Sequence, residues 1–561
     1  MIIESVSHLV ALCAKNGIRH AILSPGSRCA PLTIAFARHP EISTKTVSDE
    51  RSAAFIALGM AQQTGEPVVL VCTSGSAALN YFPAIAEAFF QQIPLLILTA
   101  DRPPEWIDQY DGQTIFQEEV YGKHVKKSFV FPSLDNSDTS IESAINISTE
   151  AIYLAKSFPK GPVHINLPFR EPFYPEEGQE LILPETKLQI QPTSKVNLNK
   201  STKSFLEENL PRFKRIMIVA GQSKPDPETE EIIMRLSTQK NVVVVTDVIS
   251  NFQSEFTITQ HDHWLGSSNL TQNLKPDLIL SFGMSVISKP LKLFLRSTDA
   301  INWHIQESGK ARDPFQKLTK TIHASNSFFF SWLFKNLEPL YSEFKEKWTS
   351  LNQKAKAALP KILETADFGE YTALAEILPK IPKRSKVHLA NSMAVRYVNF
   401  LGPLDQEIIC NRGTSGIDGS NSTAVGCSLV TDEMVTLITG DMAFFYDRNA
   451  FWQNYTKPNL RIIVLNNHAG GIFRLIKGPS SQPELEEYFE TYQPLSAESL
   501  AHEFGFEYNL VNERDELKNT IADFFSPSEH PKILEIQSES KRNAGILSGV
   551  KSKMIEALSE N

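Results

Sequence analysis

A carboxylate and a carboxamide stand about one strand–helix–strand unit apart within 435–473. The segment reads Val-Thr-Leu-Ile-Thr-Gly-Asp, a connection, then Arg-Ile-Ile-Val-Leu-Asn-Asn-His-Ala-Gly-Gly-Ile-Phe. Both apolar runs are rich in Val and Ile and predict buried parallel strands. The first ends in Gly440-Asp441 and the second in Asn466-Asn467. The spacing predicts a helix over 447–455, with Pro458 ending the crossover. Oxygen ligands would then emerge at the C-terminal strand edge, where open α/β sheets bind ligands. Such a set suits a hard cation on a diphosphate, because Mg²⁺ takes oxygen ligands and keeps phosphates and waters. Asp441 would give a carboxylate oxygen, Asn467 its side-chain carbonyl and Ala469 a backbone carbonyl. Gly440 would let the backbone approach the phosphates. Gly-Asp and Asn-Asn also favour turns, so the pairs alone carry either reading.

A second set of residues asks for negative charge. Arg28, Arg102, Arg396 and Arg412 each fall at or just after the C-terminal end of an expected strand. Guanidinium forks match carboxylates bidentately, so the pattern predicts a carboxylate-bearing substrate.

The elements that must position these residues fill a long chain. Its 561 residues allow about three or four domains. With 42% hydrophobic and 21% charged residues, the composition is that of a soluble globular protein. A formal net charge of -9 argues against a general nucleic-acid binder. The start, Met-Ile-Ile-Glu-Ser-Val-Ser-His, lacks a basic stretch followed by an apolar run, so no signal peptide is expected. No apolar run approaches the roughly 20 residues of a membrane span. The five cysteines are odd in number and form no Cys-x-x-Cys, which suggests neither disulfides nor zinc. A cytoplasmic enzyme is expected.

Strands and helices alternate along the chain, predicting an α/β fold of three doubly wound parallel-sheet domains at 1–184, 204–335 and 360–561. A Pro-rich, polar stretch at 184–203 reads as a linker, and 328–359 as a helical bridge. The first and third domains match in element order. The strand at 20–23 leads to Ser24-Pro25-Gly26-Ser27-Arg28, as 387–389 leads to Asn391-Ser392 and Arg396. Asp49-Glu50-Arg51 precedes a small-residue helix, as Asn411-Arg412-Gly413 does. The strand at 68–72, followed by Thr73-Ser74-Gly75, parallels 435–439; 94–98 parallels 461–465.

Gly-Asp followed by Asn-Asn resembles the diphosphate-binding motif of thiamine-diphosphate enzymes of the decarboxylase and synthase type. Met442 stands where that motif commonly has a second Gly. The family's layout is a pyrimidine-binding, a central and a diphosphate-binding domain. The resemblance implies thiamine diphosphate with Mg²⁺ or Mn²⁺ as cofactors, bound by Glu50, Ser74, Gly75, Ile417, Gly440, Asp441, Met442 and Asn467. Glu50 would hydrogen-bond N1′ of the cofactor's pyrimidine, and Ile417 would wedge the bent cofactor. Several stretches are similar to one branch, the menaquinone-pathway carboligases that join decarboxylated 2-oxoglutarate to isochorismate. They include Thr99-Ala100-Asp101-Arg102-Pro103-Pro104-Glu105 and Ser415-Gly416-Ile417-Asp418-Gly419. There the match implies substrate contacts from Ser27, Arg28, Arg102, Gln113, Lys289, Ser392, Arg396, Arg412, Ile472 and Phe473. His468-Ala469 stands where that branch more often has Asn-Gly. The resemblance also implies a homodimer at least, with a homotetramer expected; the net charge already argues against a nucleic-acid partner. One alternative is a carboligase of the acetohydroxyacid synthase type, whose small acceptor would need fewer arginines. A non-catalytic diphosphate- or nucleotide-binding protein would use the same strand edges.

Overall fold

The computed structural model describes residues 3–133, 137–175, 184, 196–271, 273–338 and 343–560. Residues 185–195 of the expected linker, and 339–342 of the expected bridge, lie outside them.

Three parallel sheets organise the chain. The first comprises β1 (His20–Leu23), β2 (Ser43–Thr46), β3 (Val68–Cys72), β4 (Leu95–Asp101), β5 (Ser128–Val130) and β6 (Val163–Pro168), in the order β2-β1-β3-β4-β6-β5. The central sheet holds β7 (Ile216–Ala220), β8 (Val242–Thr246), β9 (Leu278–Phe282), β10 (Ile301–Gln306) and β11 (Leu318–His323), in the order β11-β10-β9-β7-β8. The third holds β12 (Ser385–Leu389), β13 (Glu407–Cys410), β14 (Met434–Gly440), β15 (Leu460–Asn466), β16 (Glu507–Val511) and β17 (Lys532–Gln537), in the order β13-β12-β14-β15-β17-β16. Relative to the chain, the first and third orders are the same, so the expected duplication is present. Interior strands such as β3 and β15 are buried along their whole length, as strands covered by helices on both faces must be.

One helix pair ties the two like domains together. Helix Glu50–Thr64 starts at Asp49, whose carboxylate accepts from Ser52 N at 3.1 Å. It lies against helix Ser420–Leu429. A Cβ on Gly59 would stand 2.1 Å from the Thr423 carbonyl oxygen, and one on Gly426 would stand 2.1 Å from that of Ile56. Each helix therefore needs a glycine where the other's backbone passes. Around this crossing one apolar core runs from Ile22 and Leu70 to Leu437 and Ile462. A second core joins the central and third domains, from Val245 and Trp348 to Val395 and Ile463.

Two expectations need correction. The crossover between β14 and β15 has no helix over 447–455. Its helix is Asp441–Tyr446, followed by a 3-10 turn at Arg448–Phe451. The chain turns helical as soon as it leaves β14, which puts the Asp441 carboxylate in the first helical turn, where negative charge is favoured. The small-residue helix expected after Asp49-Glu50-Arg51 also starts earlier: β2 stops at Thr46, and Glu50 is the first residue of the helix.

Candidate active site

The C-terminal ends of β12, β14 and β15 open into a cavity of about 470 Å³. The strand register explains its composition. Gly440 pairs with Leu465, so Asp441 and the Asn466-Asn467 pair leave the sheet side by side. Asp441, Asn467 and Ala469 all line the cavity.

Asp441 is only 2% exposed, and its Oδ2 accepts from Gln493 Nε2 at 2.8 Å. Burial pushes its carboxyl up to about 6, against weaker opposing effects from Gln493, the Met442 and Ala469 amides and His468. The two asparagines do different work. Asn466 is spent within the protein: its Nδ2 donates to Glu535 Oε1 at 2.5 Å and to the Leu495 carbonyl at 3.0 Å. Asn467 faces the cavity. Its Nδ2 donates to Glu370 Oε1 at 2.6 Å, which orients the amide. Its Oδ1 accepts from Ala469 N at 3.1 Å. His468 takes the left-handed conformation at φ 60°, which side chains other than Gly and Asn seldom adopt. Its ring is held between the Gln493 carbonyl at 3.1 Å and Gln537 Nε2 at 3.0 Å. The histidine thus makes the same turn that Asn would make.

These residues fit a divalent cation on a diphosphate. Asp441 is a buried carboxylate with no Lys or Arg ion-pair partner among the described residues. A Cβ on Gly440 would meet no protein atom within 4 Å, so open space rather than packing adjoins the strand end. Among the described residues no three His, Cys, Asp or Glu side chains gather to hold a metal. A cation here would therefore rest on one carboxylate, an amide oxygen, a peptide oxygen and the ligand's own oxygens, a hard set suited to Mg²⁺ or Mn²⁺.

The opposite side of the cavity is basic and apolar. Ser392, at φ 70°, precedes helix Met393–Leu401. Arg396, on that helix, returns its Nη1 to the Ser392 carbonyl. Arg412 Nη1 donates to Asn391 Oδ1 at 2.8 Å. Burial lowers the pKa of Arg396 and the Arg412 charge lowers it further, against weaker opposing effects of Asp262 and Cys410. Ile417, Met442, Ile472 and Phe473 complete the walls.

The remaining expected residues are not in this cavity. Glu50 accepts from Asn80 Nδ2 at 3.2 Å. Its neighbours are gripped by the third domain: Asn449 Nδ2 donates to Asp49 Oδ2 at 2.8 Å, and Arg51 Nη2 donates to the Tyr446 carbonyl at 2.9 Å. Arg28 donates to the Phe169 carbonyl at 2.8 Å and lies over the Phe173 ring. Arg102 pairs with Asp111 at 2.8 Å. Gly75, at φ 85°, passes Gln113 so closely that a Cβ would stand 3.1 Å from its Cα. The Ser74 hydroxyl is buried with no hydrogen-bond partner among the described residues, while Ser27 and Gln113 are exposed. All of these lie along the C-terminal edge of the first sheet. Lys289 is exposed at the start of helix Lys289–Arg296, outside the cavity. It is Lys292, one turn on, that senses Arg412 and Arg396.

Sequence reasoning missed two carboxylates here. Glu370 is 1% exposed, lines the cavity, and has its carboxyl raised to about 7 by burial. Glu87, on the first domain's helix Phe82–Gln91, accepts from Gly413 N at 2.7 Å and Thr414 N at 2.6 Å, buttressing the loop that carries Arg412. Neither belongs to a local motif, and nothing in the neighbouring residues marks them.

Comparison with known proteins agrees with this arrangement. Residues 4–125 match the family model described as the N-terminal TPP binding domain of thiamine pyrophosphate enzymes. Residues 190–389 match the middle domain of thiamine pyrophosphate, and 390–536 the C-terminal TPP binding domain. A 2-succinyl-5-enolpyruvyl-6-hydroxy-3-cyclohexene-1-carboxylate synthase of Cytophaga hutchinsonii is 45% identical over 97% of each chain. The synthase of the same name from Christiangramia forsetii is 39% identical over 96% of each chain, and that of Bacteroides thetaiotaomicron 34% over 97% of each. The chain belongs to the thiamine pyrophosphate enzymes, within the 2-succinyl-5-enolpyruvyl-6-hydroxy-3-cyclohexene-1-carboxylate synthase family.

Proposed function

We propose that the chain is a carboligase that uses thiamine diphosphate and Mg²⁺ or Mn²⁺ to decarboxylate 2-oxoglutarate and add the remaining succinyl unit to isochorismate. The observation that carries this reading is one cavity lined by an oxygen-ligand set at the strand ends and by two guanidiniums, Arg396 and Arg412, with no direct ion pair to a carboxylate among the described residues. When bound, thiamine diphosphate supplies the nucleophilic carbon for 2-oxo acid decarboxylation and acyl transfer.

The chain's own residues bind, orient and hold protons. Asp441, Asn467 and the Ala469 carbonyl hold the cation, with Gly440 and Met442 beside the diphosphate. Glu370 fixes the Asn467 amide so that its oxygen, which also accepts from Ala469 N, has a lone pair for the metal. Ile417 offers the apolar wedge for the cofactor. Arg396, Arg412 and Ser392 receive substrate carboxylates, while Ile472 and Phe473 cover the apolar part and exclude water. Glu50 holds the proton at the pyrimidine N1′; Ser74 and Gly75 contact the same end of the cofactor. Ser27, Arg28, Arg102 and Gln113 complete the substrate site, with Lys289 at its margin.

The two sets lie on different edges of one chain, so the site closes between subunits. The smallest active form is a homodimer, and a homotetramer is expected. Domains are placed at 1–184, 204–335 and 360–561, and the enzyme in the cytoplasm. Among the described residues no helix is long and apolar enough to cross a membrane.

The test is CO₂ release from 2-oxoglutarate with thiamine diphosphate and Mg²⁺, with and without isochorismate. The expected product is 2-succinyl-5-enolpyruvyl-6-hydroxy-3-cyclohexene-1-carboxylate. Preferential ligation to pyruvate would move the chain to the acetohydroxyacid synthase type. No CO₂ under any condition would leave a binding protein only.

A further inference from the structure

Between the central and third domains lies a cluster of buried charged groups that the site above does not use. Asp262 sits in the 3-10 turn His261–His263 and is buried. Its two carboxylate oxygens serve two different helices. Oδ1 accepts from Ser288 Oγ, and Ser288 caps helix Lys289–Arg296, accepting from Leu291 N at 3.0 Å. Oδ2 accepts from Asn399 Nδ2 at 2.9 Å, and Asn399 belongs to helix Met393–Leu401, which carries Arg396.

The grip on the second helix is continuous. Asn399 Oδ1 accepts from Val248 N at 3.0 Å. His263 Nε2 lies 3.1 Å from the Phe400 carbonyl, and Gln260 Nε2 donates to the Gly402 carbonyl at 2.7 Å. Beside Asp262, Asp247 accepts from the Ile287 and Ser288 amides and faces His261 Nε2 at 3.4 Å. Burying two carboxylates is costly unless every oxygen is matched, and an interface that only had to cohere would do so with apolar groups. This one instead spends a carboxylate on the geometry of two helix segments.

What those helices carry gives the reason. Arg396 and Asn399 are three residues apart, on one helical face. Asp262 is also the carboxylate whose charge reaches Arg396 and Lys551. Through Ser288 the same group sets the start of the helix bearing Lys292, which in turn senses Arg412 and Arg396.

We propose that Asp262 is a positioning residue for substrate binding: it holds the Arg396 helix through Asn399 and the Lys292 helix through Ser288. The central domain thereby sets where Arg396 stands, although none of its described residues lines the cavity. The inference rests on the reading of Arg396 as a substrate-carboxylate residue.

A double-mutant cycle on the holoenzyme tests it, with wild type, Asp262→Asn, Arg396→Ala and the double variant. Asp262→Asn is expected to raise KM for at least one dicarboxylate substrate about tenfold, with kcat and thiamine-diphosphate affinity within about twofold. In the Arg396→Ala background it should add almost nothing, because its effect passes through Arg396. If Asp262→Asn does not fold, Asn399→Ala replaces it in the same cycle with the same expectation. Unchanged KM values in a folded variant, or losses that add fully in the double variant, overturn the proposal. So does failure of both variants to fold, which would make the cluster a folding element. Arg396→Ala with normal KM for both substrates would instead remove Arg396 from the site, and the inference with it.

Discussion

At the third sheet's edge the strand ends converge on a walled cavity, with Asp441 and Glu370 almost wholly buried. At the first sheet's edge, built in the same strand order, Ser27 and Gln113 face solvent. Beside Arg102 there, Trp106, Tyr110 and Phe116 are 52%, 107% and 75% exposed. Large exposed aromatics around a charged edge mark a surface made to be covered. On the proposed homodimer, the same topology would serve once as a vessel and once as a lid. The two joining helices pass closely at Gly59 and Gly426, and among the described residues the cavity of the third domain is lined by none from the first.

The hardest test of that division is to break each half separately. Glu50→Gln is expected to lose about 10²- to 10⁴-fold in activity. Asp441→Ala should abolish metal-dependent cofactor binding, read by calorimetry in Mg²⁺, with the fold intact. Mixed after subunit exchange, the two variants should recover roughly a quarter of wild-type activity, because one site of each hybrid dimer is whole. Verified exchange with no recovery would place both residues in a site within one chain.

Smaller losses are expected from single guanidiniums on either side. Arg102→Ala and Arg396→Ala should each lower kcat/KM by about 1.5–3 kcal/mol, roughly ten- to a hundred-fold, with cofactor affinity nearly unchanged. Equal losses from the two would show that lid and vessel share the substrate. A normal Arg102→Ala would confine substrate binding to the third domain.

Gly426→Ala addresses the joint between the domains. A methyl 2.1 Å from the Ile56 carbonyl oxygen must push two backbones apart, at about 1–3 kcal/mol of stability by denaturant melting. Unchanged stability would mean that the helix pair yields easily and does not fix the domains.

The smallest effect is on pH. Asp447, buried beside that joint, accepts from Ser422 N at 2.7 Å and Ser422 Oγ at 2.8 Å, and burial raises its carboxyl from 3.8 to about 7. A folded-state pKa above the unfolded one means that its contribution is full below about pH 4 and is lost as pH rises through about 7. Wild type should therefore lose Tm relative to Asp447→Asn between about pH 4 and 7. A constant difference across that range would contradict the assignment.

The sequence by itself determined the buried strands and what leaves them. β3 and β15 fall where their apolar runs predict, because a strand covered on both faces must be apolar throughout. Gly440-Asp441 and Asn466-Asn467 sit at strand ends for the same reason, since the chain turns polar where burial stops. The strands that sequence reasoning passed over depend on their neighbours. β2, β5, β11 and β16 are edge strands with mixed exposure. β17 is internal yet carries Lys532 and Glu535, affordable only because Asp523, Asn466 and Tyr508 meet them. Tertiary structure alone decided which asparagine faces the cavity, because Glu535 claims Asn466 and Glu370 orients Asn467. It alone brought Glu370, Glu87 and Asp262 to their posts, each meeting partners far away in the chain. It also separated Glu50 from Asp441: local sequence sets where a side chain leaves a strand or helix, but only packing between domains decides which way that edge faces.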